Sequence, residues 1–260
     1  MDPLLIPIEQ FQLFLVVLSR VAGFVGAIPV ISSVQSPKQI KIALACSVAL
    51  VLFPIMSPVI HIKELTMPSF ALLIVAEVLV GTTIGFAAKL IFTSIEFGAT
   101  VIGYQMGFAA ANVFDPQTKG QVALISQFQN SFAILIFLAI DGHHIFIHTA
   151  SISYQFLPPG QFNYSGGAVP YLIELTAHMF QMGIQFSAPV LAVLLLSGLI
   201  LGILSRVFPQ LNVFMLSFPI NIGLAFTVIS LTLGLLAMLL SREFDQLPER
   251  ILNILTLLHN

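Results

Sequence analysis

The chain has no tryptophan, one cysteine and very little charge, and each shortage removes a class of protein. Only 8% of its 260 residues are Asp, Glu, Lys or Arg, where soluble domains carry about 25%. A water-soluble fold of this size needs far more charge to cover its surface, so soluble enzymes and disordered chains drop out. Nine basic residues against eleven acidic ones leave a formal net charge of −2. That balance supplies no basic patch for phosphate, which excludes nucleic acid as a partner. A lone Cys46 rules out an internal disulfide framework and a thiolate metal cluster. With tryptophan absent, any interfacial aromatic belt falls to the 4 tyrosines and some of the 23 phenylalanines. What the chain has in excess is apolar surface: 58% of residues are hydrophobic and the mean hydropathy is +1.03. The class that remains is an integral membrane protein.

A helix needs about 20 mostly apolar residues to cross roughly 30 Å of hydrocarbon. Phe11 to Val34 is the first such run and holds Arg20 and Pro29. With Asp2 and Glu9 as the only charges before Arg20, it lacks the positive start of a secretory signal and reads as a retained segment. Residues 36–41 break it with a proline and two lysines, and Ile42 to Ile60 follows, with Pro54 and Pro58 expected to break its end. After a polar turn at 61–68, a stretch from Ser69 to about Phe114 contains Glu77, Lys89 and Glu96. It is too long for one span. Either two helices meet near 87–96, or one helix projects beyond the apolar layer.

A loop is expected at 115–120 and another span at Val122 to Ile140, ending in Asp141-Gly142-His143-His144. Residues 157–170 hold three prolines and three glycines and mark the clearest internal boundary. Beyond it, Leu175 to Ser205 carries no charged residue except histidine, and 207–241 is expected to divide into a proline-broken 207–221 and an unbroken helix over 222–241. The tail from Arg242 places Leu247, Ile251, Ile254, Leu255 and Leu258 at helical spacing, as in a helix lying along a surface or a partner. Uniformly apolar runs do not fit the alternation of a membrane barrel. The fold class is therefore all-α, with about five to seven hydrophobic segments in a single membrane domain spanning 1–260.

Glycines stand four apart at Gly81/Gly85, Gly103/Gly107 and Gly198/Gly202, a spacing that lets a second helix backbone approach closely, inside the chain or between subunits. The stretch from Gly103 through Met106, Gly107, Phe108 and Phe114 to Pro116 mixes small residues with large flexible or aromatic ones. Such side chains can pack a core or close a hydrophobic constriction. Arg20, Glu77, Lys89 and Glu96 are charges inside apolar runs, candidates for buried pairing with another helix, for emergence of the segment into water, or for an ion relay. Asp141, His143, His144 and His148 have metal-ligand chemistry but no motif around them, so a polar turn capping a span is the expectation and no metal is assigned. Phosphate-binding, nucleophile-elbow and dinucleotide fingerprints are missing, which argues against an enzyme and against a cofactor.

Several short motifs stand in order along the chain: Arg20-Val21-Ala22-Gly23-Phe24, Glu77 with Gly81 and Gly85-Phe86, and Gly103-Tyr104-Gln105-Met106-Gly107 running into Phe114-Asp115-Pro116. Gly142-His143, Ala188-Pro189, Arg206-Val207-Phe208-Pro209-Gln210-Leu211-Asn212-Val213-Phe214 and Phe218-Pro219 complete the series. Taken together, they resemble the FliR/SctT family of flagellar and virulence type III export-gate proteins. The resemblance implies a hetero-oligomeric helical assembly in the bacterial inner membrane at the flagellar basal body, raised toward the periplasm. One copy would join five FliP and four FliQ subunits, with FlhB nearby and unfolded flagellar proteins in transit. It implies a FliP-like part before 157–170 and a FliQ-like part after it, without a fused FlhB-type domain. It also implies that Met106, Gly107, Phe108 and Phe114 belong to a plug, and that Arg206, Pro209, Gln210 and Asn212 form an assembly surface together with the glycine faces. The residues alone leave two other readings: a small secondary transporter built on Glu77, Lys89 and Glu96, or a metalloenzyme built on the histidines.

Overall fold

Apolar runs in lipid must satisfy their backbone internally, and every described element of the chain is helical. The structure is a computed structural model that describes residues 7–27, 37–58, 60, 66–107, 121–162, 167–210 and 212–259, with only the backbone described at 121–123 and 214. Phe108 and Phe114, Pro29 and the loop expected at 115–120 lie outside these residues, as do parts of the turns expected at 36–41 and 61–68. In chain order the helices are α1 (Ile8–Ala27), α2 (Lys38–Met56), α3 (Met67–Gln105), α4 (Gln121–Ala139), α5 (Gly142–Phe156), α6 (Ala168–Val207), α7 (Val213–Asp245) and α8 (Leu247–His259). Among the described residues five helical stretches are long and apolar enough to cross a membrane: α1, α2, α3, α6 and the run from Met215 to His259. The consecutive pair α4–α5 makes a sixth if counted as one span.

Of the two readings of the stretch that begins at Ser69, the single long helix is the one the chain forms: α3 runs unbroken for 39 residues, about 58 Å of helix. Glu and Lys are good helix formers and no proline interrupts it past Pro68. The expected split of 207–241 at Asn221 does not occur. The first helix ends at Val207 instead, and the Asn212 side chain accepts the Met215 N–H at 3.3 Å as the N-cap of the next. α7 then continues through Pro219, which costs one ladder bond to the Met215 carbonyl. Pro170 falls inside α6, but in its first turn, where a missing N–H has no helical partner to lose.

The chain divides into two units. The first holds α1, α2, the N-terminal part of α3 up to Leu90, α5, the start of α6 and α8. α1 is central: Val16, Val17, Val21, Phe24 and Val25 are all buried. Phe14 meets Phe53 of α2 edge-on and Phe24 meets Phe146 of α5. α8 buries Leu247, Ile251, Ile254, Leu255 and Leu258 and packs on α5, so this amphipathic tail finds its apolar partner within the chain. The second unit holds α3 from Ile91, α4, most of α6 and most of α7. α3 and α4 run antiparallel, with Thr100 paired to Ser126 and Phe92 to Phe137. α6 and α7 form an antiparallel hairpin clasped by Ser197–Asn221 at 2.9 Å and His178–Glu243 at 3.2 Å. Ala99, Ile102, Met106, Ile125, Val190, Leu194, Ala225 and Ile229 form its core.

Candidate functional site

A charge in an apolar helix is costly unless it is paired and hydrogen-bonded. Arg20 and Glu77 meet that condition. Both side chains are 2% exposed, and Arg20 Nε donates to Glu77 Oε2 at 2.5 Å. Arg20 also donates to the Ser153 hydroxyl at 3.2 Å and to the Leu157 carbonyl at 2.9 Å. Leu157 directly follows α5, where carbonyls lack helical donors, so the guanidinium satisfies an orphan acceptor. Ser153 in turn donates to Ala150 at 2.7 Å. The Tyr154 ring lies 4.2 Å below the guanidinium carbon, and its hydroxyl donates to the Val17 carbonyl at 3.1 Å. One arginine thus ties α1, α3 and α5 through charge, hydrogen bonds and a π face.

The glycines beside this pair explain how the helices come so close. Gly81 lies one turn and Gly85 two turns after Glu77, on the same face of α3. A methyl group added at Gly81 would overlap the Arg20 carbonyl, and one at Gly85 would stand 2.8 Å from the Phe24 carbonyl and 2.5 Å from the Ala27 Cβ. Gly23 answers from α1, where a Cβ would stand 2.6 Å from the Val78 carbonyl. Contacts advance in the same direction along both helices, from Arg20 with Gly81 to Ala27 with Gly85, so α1 and α3 cross in parallel. α5 runs against α1, since Tyr154 meets Val17 while Phe146 meets Phe24.

The second unit contains the end of α3. Gly103 is buried and Met106 is fully buried in the core cluster. Gly107 has φ 95°, its N–H donating to the Tyr104 carbonyl at 3.1 Å, a left-handed close to the helix.

With this geometry in place, comparison with known proteins is decisive on family. Residues 11–247 match the family described as bacterial export proteins, family 1. The chain belongs to that family. It is 32% identical over 255 residues to the flagellar biosynthetic protein FliR of Bacillus subtilis (strain 168), covering 96% of this chain and 97% of that protein. The proteins of the same name from Pectobacterium carotovorum subsp. carotovorum and Escherichia coli (strain K12) are 29% and 26% identical, over 91% and 92% of this chain and 90% and 91% of their own length.

In this export-family chain the remaining site candidates divide by environment. Lys89 and Glu96, expected among buried charges, are exposed. Seven residues apart, they lie on one exposed strip of α3. Arg206, Pro209, Gln210 and Asn212 form the exposed turn between α6 and α7, with Arg206 in the last turn of α6, where a cation suits the helix end. Gly198 and Gly202 have open space where a Cβ would point. Around them Leu195, Leu199, Ile200 and Ile203 are exposed, and an apolar groove of about 380 Å³ runs between α6 and α7 past Leu196, Leu204 and Ile220. Asp141 has a left-handed φ of 55° and begins α5, with its carboxylate 3.9 Å from His143 and 3.8 Å from His144. All three side chains are exposed at this bend.

Sequence reasoning missed Ser153, Tyr154 and the Leu157 carbonyl, because 142–156 was not read as a helix. It also missed the crossing of Gly98 and Gly183, where a Cβ on Gly98 would stand 2.5 Å from the Gly183 carbonyl, with Phe97 edge-on to Phe180. Ser94/Gly98 and Gly183/Ser187 do carry the four-residue spacing, with serine in place of one glycine.

Proposed function

We propose that this chain is a non-enzymatic subunit of the flagellar type III protein-export gate. In this reading it sits in the bacterial inner membrane at the basal body, in an assembly raised toward the periplasm. One copy assembles with five FliP and four FliQ subunits, contacts FlhB, and helps form the channel through which unfolded flagellar proteins pass. The observation that carries the reading is the match to FliR proteins along nearly the whole chain, 96% of it in one relative. The open Gly198/Gly202 face supports it, since an apolar helix face with bare glycines is built for another helix. The part before 157–170 takes the FliP-like place and the part after it the FliQ-like place.

Within this assembly, Gly107, Phe108 and Phe114 belong to the segment that plugs the closed channel, and Met106 anchors it in the core. The exposed turn with Arg206, Pro209, Gln210 and Asn212 contributes to the assembly surface. The transporter reading needs ionisable groups available to an ion, and Glu77 is committed to Arg20 on a fully packed face. The test is the native mass of the detergent-extracted complex after co-expression with the neighbouring membrane-protein genes. A large hetero-oligomer holding one copy of this chain is expected. A monomer or small homo-oligomer overturns the proposal.

A further inference from the structure

Half of the six histidines in the chain lie within 143–148, and two of them close on one carboxylate. His143 Nε2 stands 3.9 Å and His144 Nδ1 3.8 Å from the same oxygen, Oδ1 of Asp141, and the three donor atoms all lie within 4.8 Å of one another. The backbone at the start of α5 brings them together. Asp141 precedes the helix with φ 55° and ψ 31°, the one left-handed non-glycine residue among the described residues. An aspartate at a helix N-cap ordinarily accepts a backbone N–H of the first turn. This one makes no such bond, and its carboxylate faces the two imidazoles instead. The rings are tilted at 38° to each other with centroids 4.3 Å apart.

The ordinary explanations do not fit these separations. A hydrogen bond needs about 2.7–3.2 Å between nitrogen and oxygen. Two exposed ion pairs would set two protonated rings side by side, for little stabilisation in water. A zinc ion bound tetrahedrally at about 2.0–2.2 Å from its nitrogen and oxygen donors holds those donors about 3.4 Å apart. Closing to that distance from 3.8 and 3.9 Å takes small rotations of exposed side chains. We propose that Asp141, His143 and His144 form a binding site for a divalent transition-metal ion of the zinc type, with both imidazoles neutral. The carboxylate is essential to it, because the positive end of α5 by itself disfavours a cation. Water completes the coordination, as it does where a metal has three protein ligands. A bound ion ties Asp141 to the first turn of α5, the helix that presents Ser153 and the Leu157 carbonyl to Arg20. The proposal does not depend on the export reading.

The experiment uses the whole chain in detergent, without a polyhistidine tag, stripped by a chelator and titrated calorimetrically with zinc chloride. One zinc per chain is expected, and the melting temperature should rise as zinc is added. Cobalt(II) in its place should give the visible absorption of an ion held by nitrogen and oxygen. His143→Ala combined with His144→Ala should abolish binding and the rise in melting temperature together. Asp141→Asn keeps a residue that tolerates the left-handed turn. It should weaken binding at least about tenfold, since even an outer partner of a metal ligand is worth about 10–100-fold. His259→Ala removes an exposed imidazole at the far end of the chain and should change nothing. All the altered side chains are exposed, so each variant should melt as the unaltered chain does when zinc is absent. The proposal is overturned if the unaltered chain binds no zinc. It is also overturned if the double histidine variant binds as well as the unaltered chain, which would mean scattered surface histidines, or if Asp141→Asn binds as tightly, which would leave the carboxylate no part.

Discussion

Two glycine pairs with the same four-residue spacing meet opposite fates in this molecule. Gly81 and Gly85 lie under the backbone of α1, so close that a methyl group would overlap it, and the buried Arg20–Glu77 pair stands one turn away. Gly198 and Gly202 face open space, among leucines and isoleucines that are about three-fifths exposed. The spacing alone says only that a backbone can approach; it does not say whose. At the first pair a reciprocal glycine on α1, Gly23, and an opposite charge supply the partner within the chain. Among the described residues, nothing stands within 4 Å of where a Cβ on either glycine of the second pair would lie. Its apolar face is therefore the part of the chain whose energetics depend on what it joins.

The largest effect should come from breaking the closed crossing at its charge. Glu77→Ala leaves the Arg20 guanidinium buried without its counter-ion, which typically costs about 3–5 kcal/mol. The expected outcome is a chain that is lost on expression or melts far below the unaltered protein in detergent. Replacing both, as Glu77→Leu with Arg20→Met, should recover much of that loss, since an apolar pair of similar volume is often neutral. If Glu77→Ala melts as the unaltered chain does, the pair is not what holds α1, α3 and α5 together. Gly81→Leu comes next. Its side chain has no space under the Arg20 carbonyl, and overpacking of a close crossing costs about 1–3 kcal/mol, sometimes more. A thermal melt of the purified chain checks it, and a native-like melt would show that α1 can move aside at little cost.

These outcomes also measure how far the sequence could be read. Arg20 and Glu77 stand out as charges in apolar runs, but 57 residues separate them, and no local spacing pairs them. Lys89 and Glu96 stand out for the same reason yet lie on the exposed face of the same helix; a charge marks a helix as unusual without telling which face it takes. The all-α class and the spans followed directly from apolar length, because lipid leaves helices few alternatives. The helix boundaries did not. α7 runs through Pro219 because Asn212 offers a cap and the turn lies earlier. Helix α5 was hidden by the polar residues at its start, and with it the Ser153, Tyr154 and Leu157 partners of Arg20. Gly107 was legible as one of a glycine pair, but its use as the seat of the Phe218 ring, 111 positions away, depends on tertiary packing.

The smallest expected effect on the chain itself is the most informative about its role. Gly198→Leu adds a side chain where the isolated molecule has open space, so its own melting temperature should hardly move, as for substitutions on an uncovered surface, typically within about 0.5 kcal/mol. In the co-expressed complex the same leucine should stand between two helices that need the glycine to approach. Native mass should then show subassemblies in place of the full hetero-oligomer, while Gly198→Ala, a much smaller addition, should be better tolerated. A Gly198→Leu complex of full mass would mean that this face meets lipid and not a neighbouring subunit. The contrast between the two glycine pairs would then be one of buried against lipid-facing surface, and the assembly surface would have to be sought at the α6–α7 turn.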